Sequence, residues 1–250
     1  MATGEIPRAT VLDAWRWLTM PPPDATVDAD RRTIDLVGLQ LPVRASAAVA
    51  ITITVLLVDF SRILLPSAVA SMGRSPDGLR GVALERFALF GVVPLLVALL
   101  AFRDRPVRYG LTLGDRTAGA LLIIVGAAAM TPIVLWFASL PDVRSYYAVS
   151  AAPLPQVVLT NAIDLTAAEF LFRGFLMFTL VRTVGPIGVL IAVMPFSYAH
   201  VGKPVLELLS TLGGGLAYGW LAWRTRSIVW GSIAHVYILS LVTMAAAGTI

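Results

Sequence analysis

The stretch AAEFLFRGFLMF, residues 167–178, decides how the chain is read. It is a hydrocarbon-rich run that would pass for lipid-facing helix except for Glu169 and, four residues on, Arg173. Four residues is slightly more than one helical turn, so the two side chains share a face, with the acid N-terminal in the favoured order for an ion pair. A charge at the bilayer centre costs about 2.5–3.5 kcal/mol on insertion scales, so the pair is expected to point inward. In that position the arginine would hold the carboxylate ionised and fix its rotamer.

The rest of the chain fits this setting. Of 250 residues, 58% are hydrophobic and only 14% charged, with a mean hydropathy of +0.82. A soluble domain carries about 25% charge. The composition is therefore that of an all-α, polytopic transmembrane helical bundle. A bilayer core takes about 20 apolar residues per helix. Seven runs, within a range of six to eight, satisfy or approach that length: 47–66, 86–102, 117–140, 155–181, 186–200, 204–223 and 227–248. The fifth is short and ends in a polar turn. Residues 1–46 form an N-terminal cytoplasmic or interfacial segment, and 47–250 the bundle. Residues 10–20, with Leu12, Trp15, Trp17 and Leu18, read as a short amphipathic helix or a loosely ordered tail. Residues 33–46 are too polar and too short to span and read as re-entrant or interfacial. No secretory signal is expected, because Pro21, Pro22 and Pro23 break the only candidate core.

Basic residues test the orientation. Placing the N-terminus inside puts five arginines in 1–46, four in 103–116, Arg182, Arg224 and Arg226 on the inner side. The outer connections then hold Arg74, Arg80, Arg86, Arg144 and Lys203. The bias predicts an integral protein of a bacterial cytoplasmic membrane, N-terminus inside. The pI near 9.8 follows from these loops, so nucleic acid is not an expected partner; the lipid bilayer is. The chain has no cysteine, which removes disulfides, thiolate metal sites and a thiol nucleophile. In GGGLAYG, residues 213–219, Gly215 and Gly219 form a small-xxx-small pair that lets helices approach closely.

Ionisable residues inside the spans are few: Asp59, Arg62, Asp164, Glu169, Arg173, His200, Glu207 and His235. Asp59 and Arg62, three apart, read as a self-neutralising pair. The two histidines of the chain both fall in or beside spans, in the half that also holds three of the carboxylates. Two chemistries are open for such a set. A glutamate and a histidine can deprotonate a water while a second histidine donates to the developing oxyanion. Alternatively, His200, His235 and Glu169 can ligate Zn2+ with one position left for water. No H-E-x-x-H occurs, so the ligand pair of the soluble zinc proteases is absent. A proton-coupled transporter would use the same inward charges, but the chain shows no inverted repeat.

Taken in order, Glu169 with Arg173, then Phe196-Ser-Tyr-Ala-His200, then His235, resemble the motifs of the CPBP intramembrane proteases, the CAAX-protease and bacteriocin-processing (Abi) family. The resemblance covers about residues 155–245 and implies a polytopic helical fold with an intramembrane polar cavity. It implies a membrane endopeptidase, often labelled a metalloprotease, acting on a peptide or protein substrate that includes lipidated ones. It implies Glu169 as water activator with His200, His235 as oxyanion donor or ligand, and Arg173 as the group that holds Glu169. The sequence departs from the pattern twice: the first glutamate of the family pair falls on Ala168, and the asparagine four after the last histidine falls on Leu239. Asp164, one turn before Ala168, and Glu207 are the candidate replacements. The same departures leave open a catalytically inactive partner or immunity-type protein.

Overall fold

The computed structural model describes residues 10–250. Of its nine principal helices, seven follow the apolar runs, and α1 and α5 lie outside them. They are α1 (Val11–Thr19), α2 (Val43–Ser61), α3 (Pro76–Ala101), α4 (Arg116–Ala138), α5 (Pro141–Ala148), α6 (154–184), α7 (Ile187–Tyr198), α8 (Val205–Thr225) and α9 (Val229–Ala246). A two-stranded hairpin, β1 (Thr33–Leu36) and β2 (Leu39–Pro42), precedes α2. The segment 33–46 is thus an exposed hairpin followed by the first turn of α2, not a re-entrant loop. Helix α2 begins four residues before the expected start of the bundle and stops at Ser61, where Arg62 turns left-handed (φ 52°).

Five helices among the described residues, α2, α3, α4, α8 and α9, are long and apolar enough to cross a membrane. Helix α7 is apolar but only 12 residues long, as its sequence suggested. Helix α6 is the informative exception. Its charges keep it out of that set, yet residues 167–182 are buried without a break. It is the central post, against which α2, α3, α7, α8 and α9 pack, and from residue 167 to 182 protein surrounds it. Helix α4 is the reverse case: mean hydropathy 2.3 and almost no burial within the protein. It shows its side to lipid, for which apolar side chains suffice.

Helix α6 is not uniform. From Phe170 to Met177 it widens to the π-helical spacing, which is rare and concentrates at functional sites. Gly174 lies in this stretch; a methyl group there would come within 2.9 Å of the Tyr109 carbonyl oxygen and 2.8 Å of Phe170. Helix α3 carries two similar stretches, Phe87–Val92 and Val97–Ala101, on either side of Pro94. A proline lacks the N–H and crowds the carbonyl of the preceding turn, and the wider turn accommodates it.

In lipid, apolar helices gain little by hiding from tails of equal polarity, so close packing and internal polar bonds hold the bundle together. At the α7–α8 contact, Gly215 faces Val193 and Phe196, and Gly219 faces Val189 and Met177. A β-carbon at Gly219 would lie 2.7 Å from Val189. The glycine pair read in the sequence is therefore the seam between these helices.

Candidate functional site

The central helix brings Glu169 to the middle of the protein, where it is fully buried. Its Oε1 accepts a hydrogen bond from Arg173 at 3.2 Å and another from His235 Nδ1 at 2.9 Å. Glu169 and Arg173 come from α6 and His235 from α9, so the bond to His235 closes a gap of 66 residues. A carboxylate only accepts, so the proton on this bond sits on Nδ1, and Nε2 is the ring nitrogen left without a partner. The Oε2 atom of Glu169 is buried without a partner. The space beside it exists because residue 231 is glycine: a β-carbon there would lie 3.2 Å from Oε2.

Phe196 is the hub of the aromatic wall. The Arg173 guanidinium lies 3.8 Å from its ring centre. The rings of His200 and His235 meet it edge-on, with centroids at 4.6 and 6.0 Å. His200 Nδ1 is 2.8 Å from the Phe196 carbonyl. That oxygen is an acceptor, so Nδ1 carries the proton and Nε2 is the free atom. Tyr218 completes the wall. It stacks on His235 with centroids 5.1 Å apart and planes 20° apart, and it lies 5.5 Å from the Arg173 guanidinium. The sequence reading passed over Tyr218 and Gly231. Tyr218 sits one residue before the packing glycine Gly219, where the glycine motif drew the eye, and Gly231 has no chemistry of its own.

The structure therefore gathers Glu169, Arg173, His200 and His235 around one ring, but pairs Glu169 with His235 rather than with His200. Glu207 is elsewhere. It accepts from the Tyr147 hydroxyl at 2.8 Å and from Lys203 at 2.8 Å, joining α5 to the first turn of α8. Asp164 is also turned away. It pairs with Arg86 at 3.3 Å, in a network where Asp59 holds Arg62 and Arg86 and Glu85 holds Arg62. The Asp59–Arg62 pair is present at 2.8 Å, but as part of this larger network. At the two departures, Ala168 is buried in the main apolar core and Leu239 packs on the apolar cluster around Val143 and Val242.

A metal ion would need three of these groups to converge. Among the described residues no three His, Asp or Glu side chains are grouped closely enough to hold an ion. The acceptor atoms left without a protein partner are Glu169 Oε2 and the Nε2 atoms of His200 and His235.

An apolar cleft of about 650 Å³ runs between α6 and α9, lined by none of the site residues above. Val158, Ala162 and Thr166 line one wall; Ser232, Val236 and Ser240 line the other. The cleft uses the two helices that hold the Glu169–His235 bond, on other faces of them.

Residues 150–240 match the family model described as type II CAAX prenyl endopeptidase Rce1-like. This segment is thus similar to type II CAAX prenyl endopeptidases. It contains Glu169, Arg173, His200, His235, Tyr218 and Gly231, and it coincides with the part of the chain whose motifs resemble that family. Comparison with curated proteins and with solved structures finds no match. The family match and the five apolar helices together are those of an integral membrane protein.

Proposed function

We propose that the protein is an intramembrane endopeptidase that hydrolyses a peptide bond near the end of a membrane-associated, lipid-modified peptide. The observation that carries this reading is the buried bond from His235 Nδ1 to Glu169. It fixes the tautomer and orientation of the imidazole, leaving Nε2 as a base, as an orienting carboxylate does in hydrolytic triads. His235 is the more accessible of the two groups, with 13% of its side chain exposed against none for Glu169. We therefore assign water activation to His235 Nε2 and orientation to Glu169. This departs from the expectation that Glu169 itself meets the water with His200.

In the reaction, Nε2 takes a proton from water as the oxygen attacks the scissile carbonyl carbon. The Nη2 of Arg173, buried without a partner, is a donor available for the charge developing on the carbonyl oxygen. Collapse of the tetrahedral intermediate breaks the C–N bond, and His235 returns its proton to the leaving amine. His200 offers Nε2 as an acceptor that can align the attacking water. The apolar cleft along α6 and α9 suits a hydrocarbon chain attached to the substrate, in keeping with the prenyl endopeptidase description of the matched family.

A non-catalytic partner is the second reading, favoured by the apolar surroundings of Ala168 and Leu239. One experiment separates the two. The full chain in liposomes is given a prenylated C-terminal peptide, beside Glu169→Gln, His235→Ala and His200→Ala. The protease reading expects cleavage by wild type and losses of about 100-fold or more in the first two variants. Full cleavage by both variants eliminates the assignment. Binding without cleavage by folded wild type supports the partner reading.

A further inference from the structure

One end of the bundle is built unlike the other. The loop at Gly110–Asp115 is bonded to the turn after α8 through Ile228 N–H to the Gly110 carbonyl (3.0 Å) and Asp115 N–H to the Thr225 carbonyl (2.9 Å). Arg224 reaches from this turn to Asp115 (3.0 Å) and to the carbonyls of Trp17 and Leu18 (3.0 Å each from Nε). Trp220 donates to the Thr19 carbonyl at 2.9 Å, and Trp223 to Asp24 at 3.0 Å. Helix α1 is thus pinned by its C-terminal carbonyls to the end of a membrane-crossing helix.

The exposed surface of α1 includes an apolar strip beside the polar Asp13 and Arg16. Val11, Leu12 and Trp15 are 90%, 56% and 62% exposed, and Thr10 and Asp13 close the N-terminus with a reciprocal cap. Five of the six tryptophans, all but Trp136, belong to this end, the position of an aromatic belt at a membrane–water boundary. The same end carries Arg16, Arg31, Arg32, Arg103, Arg105 and Arg116, all exposed and without an ion pair among the described residues. An apolar strip under unpaired arginines matches the boundary of an anionic bilayer, where acyl chains lie beneath negative headgroups.

We propose that α1 and this arginine rim form a docking surface for anionic phospholipid, with Val11, Leu12 and Trp15 seated in the headgroup–acyl boundary. Because α1 is tied to α8, the anchor fixes the depth at which the bundle sits.

The absence of cysteine makes a single-label test clean. Val11→Cys and, on the polar side of the helix, Arg16→Cys are each labelled with an environment-sensitive fluorophore. The full chain is placed in nanodiscs of phosphatidylcholine alone or mixed with phosphatidylglycerol. The label at 11 should emit as in an apolar medium and be quenched by lipids carrying a shallow nitroxide; the label at 16 should not. Phosphatidylglycerol should deepen the quenching, and about 1 M salt, with a screening length of ~3 Å, should reverse the gain. Replacing Arg31, Arg32, Arg103 and Arg105 by glutamine should remove it too, since each basic group near such a surface contributes about fivefold in affinity. A water-like, unquenched label at 11 in both lipids overturns the anchor. Apolar emission without nitroxide quenching assigns the face to protein and overturns it as well. Quenching indifferent to phosphatidylglycerol and to salt overturns the anionic preference.

Discussion

Glu169 Oε1 sits between Arg173 and His235, 3.2 Å from one donor and 2.9 Å from the other. One oxygen thus holds together the two helices that carry the candidate chemistry. Arg173 is itself stacked on Phe196 at 3.8 Å, so charge and packing are joined in a single side chain. Removing it leaves a buried carboxylate uncompensated, for which about 3–5 kcal/mol is the usual cost. Arg173→Ala should lower the unfolding temperature in detergent sharply. Arg173→Lys, which keeps the charge but loses the planar stacking face, should fall between. A wild-type melting curve for the alanine variant would show that the pair contributes nothing.

Gly231 gives a test that leaves every charged group in place. A methyl group there would stand 3.2 Å from Glu169 Oε2, tighter than an ordinary contact, so the carboxylate must shift by a few tenths of an ångström. Positioning losses of that kind cost catalysis more than stability. Gly231→Ala should reduce kcat by about tenfold or more with a nearly unchanged melting temperature; the steady-state rate and the melting curve together decide it.

Tyr218 packs its ring face on His235. Tyr218→Phe keeps the ring and should keep activity. Tyr218→Ala removes the stack and should lower kcat with little change in KM, because the imidazole loses its orientation. Equal losses in both variants would instead assign the role to the hydroxyl.

Glu207 was a candidate for catalysis by sequence, but its oxygens are occupied by Tyr147 and Lys203. Glu207→Gln should retain cleavage and lose stability by about 1–3 kcal/mol, the cost of leaving part of a charge-assisted network unmade. A cleavage loss without a stability loss would return Glu207 to the reaction.

Asp30 sets an acid limit. It lies outside the spans, 2% exposed, and receives Arg44 at 2.9 Å and Arg108 at 2.7 Å. Burial by itself would raise its carboxyl. The Val27 N–H, the bonds from Arg44 and Arg108, and the nearby Arg182 outweigh burial and hold it below the usual aspartate value of 3.8. With the folded value depressed, the unfolded chain binds the proton more tightly. The stabilisation is full above the unfolded value and is lost as pH falls through the folded one. Melting temperature should therefore drop as pH falls below about 4, and Asp30→Asn should flatten this drop while lowering stability at neutral pH.

The sequence by itself determined the class of fold and singled out Glu169, Arg173, His200 and His235 among the ionisable residues of the spans. Run length and the scarcity of charge decide for membrane helices, because lipid admits few other backbones. The i,i+4 spacing of Glu169 and Arg173 fixed their pairing, since that contact lies within one helix and depends on nothing distant. The glycine pair 215/219 was legible for the same reason. Partnership across the bundle was not. Which histidine meets Glu169, the turning of Asp164 toward Arg86, and the withdrawal of Glu207 to Tyr147 each depend on the rotation of one helix against another. Those rotations are set by side-chain packing over the whole interface and leave no periodic mark in the chain. The same holds for the pinning of α1 by Arg224, a contact across 207 residues, and for Gly231, whose importance lies in space that a neighbour occupies.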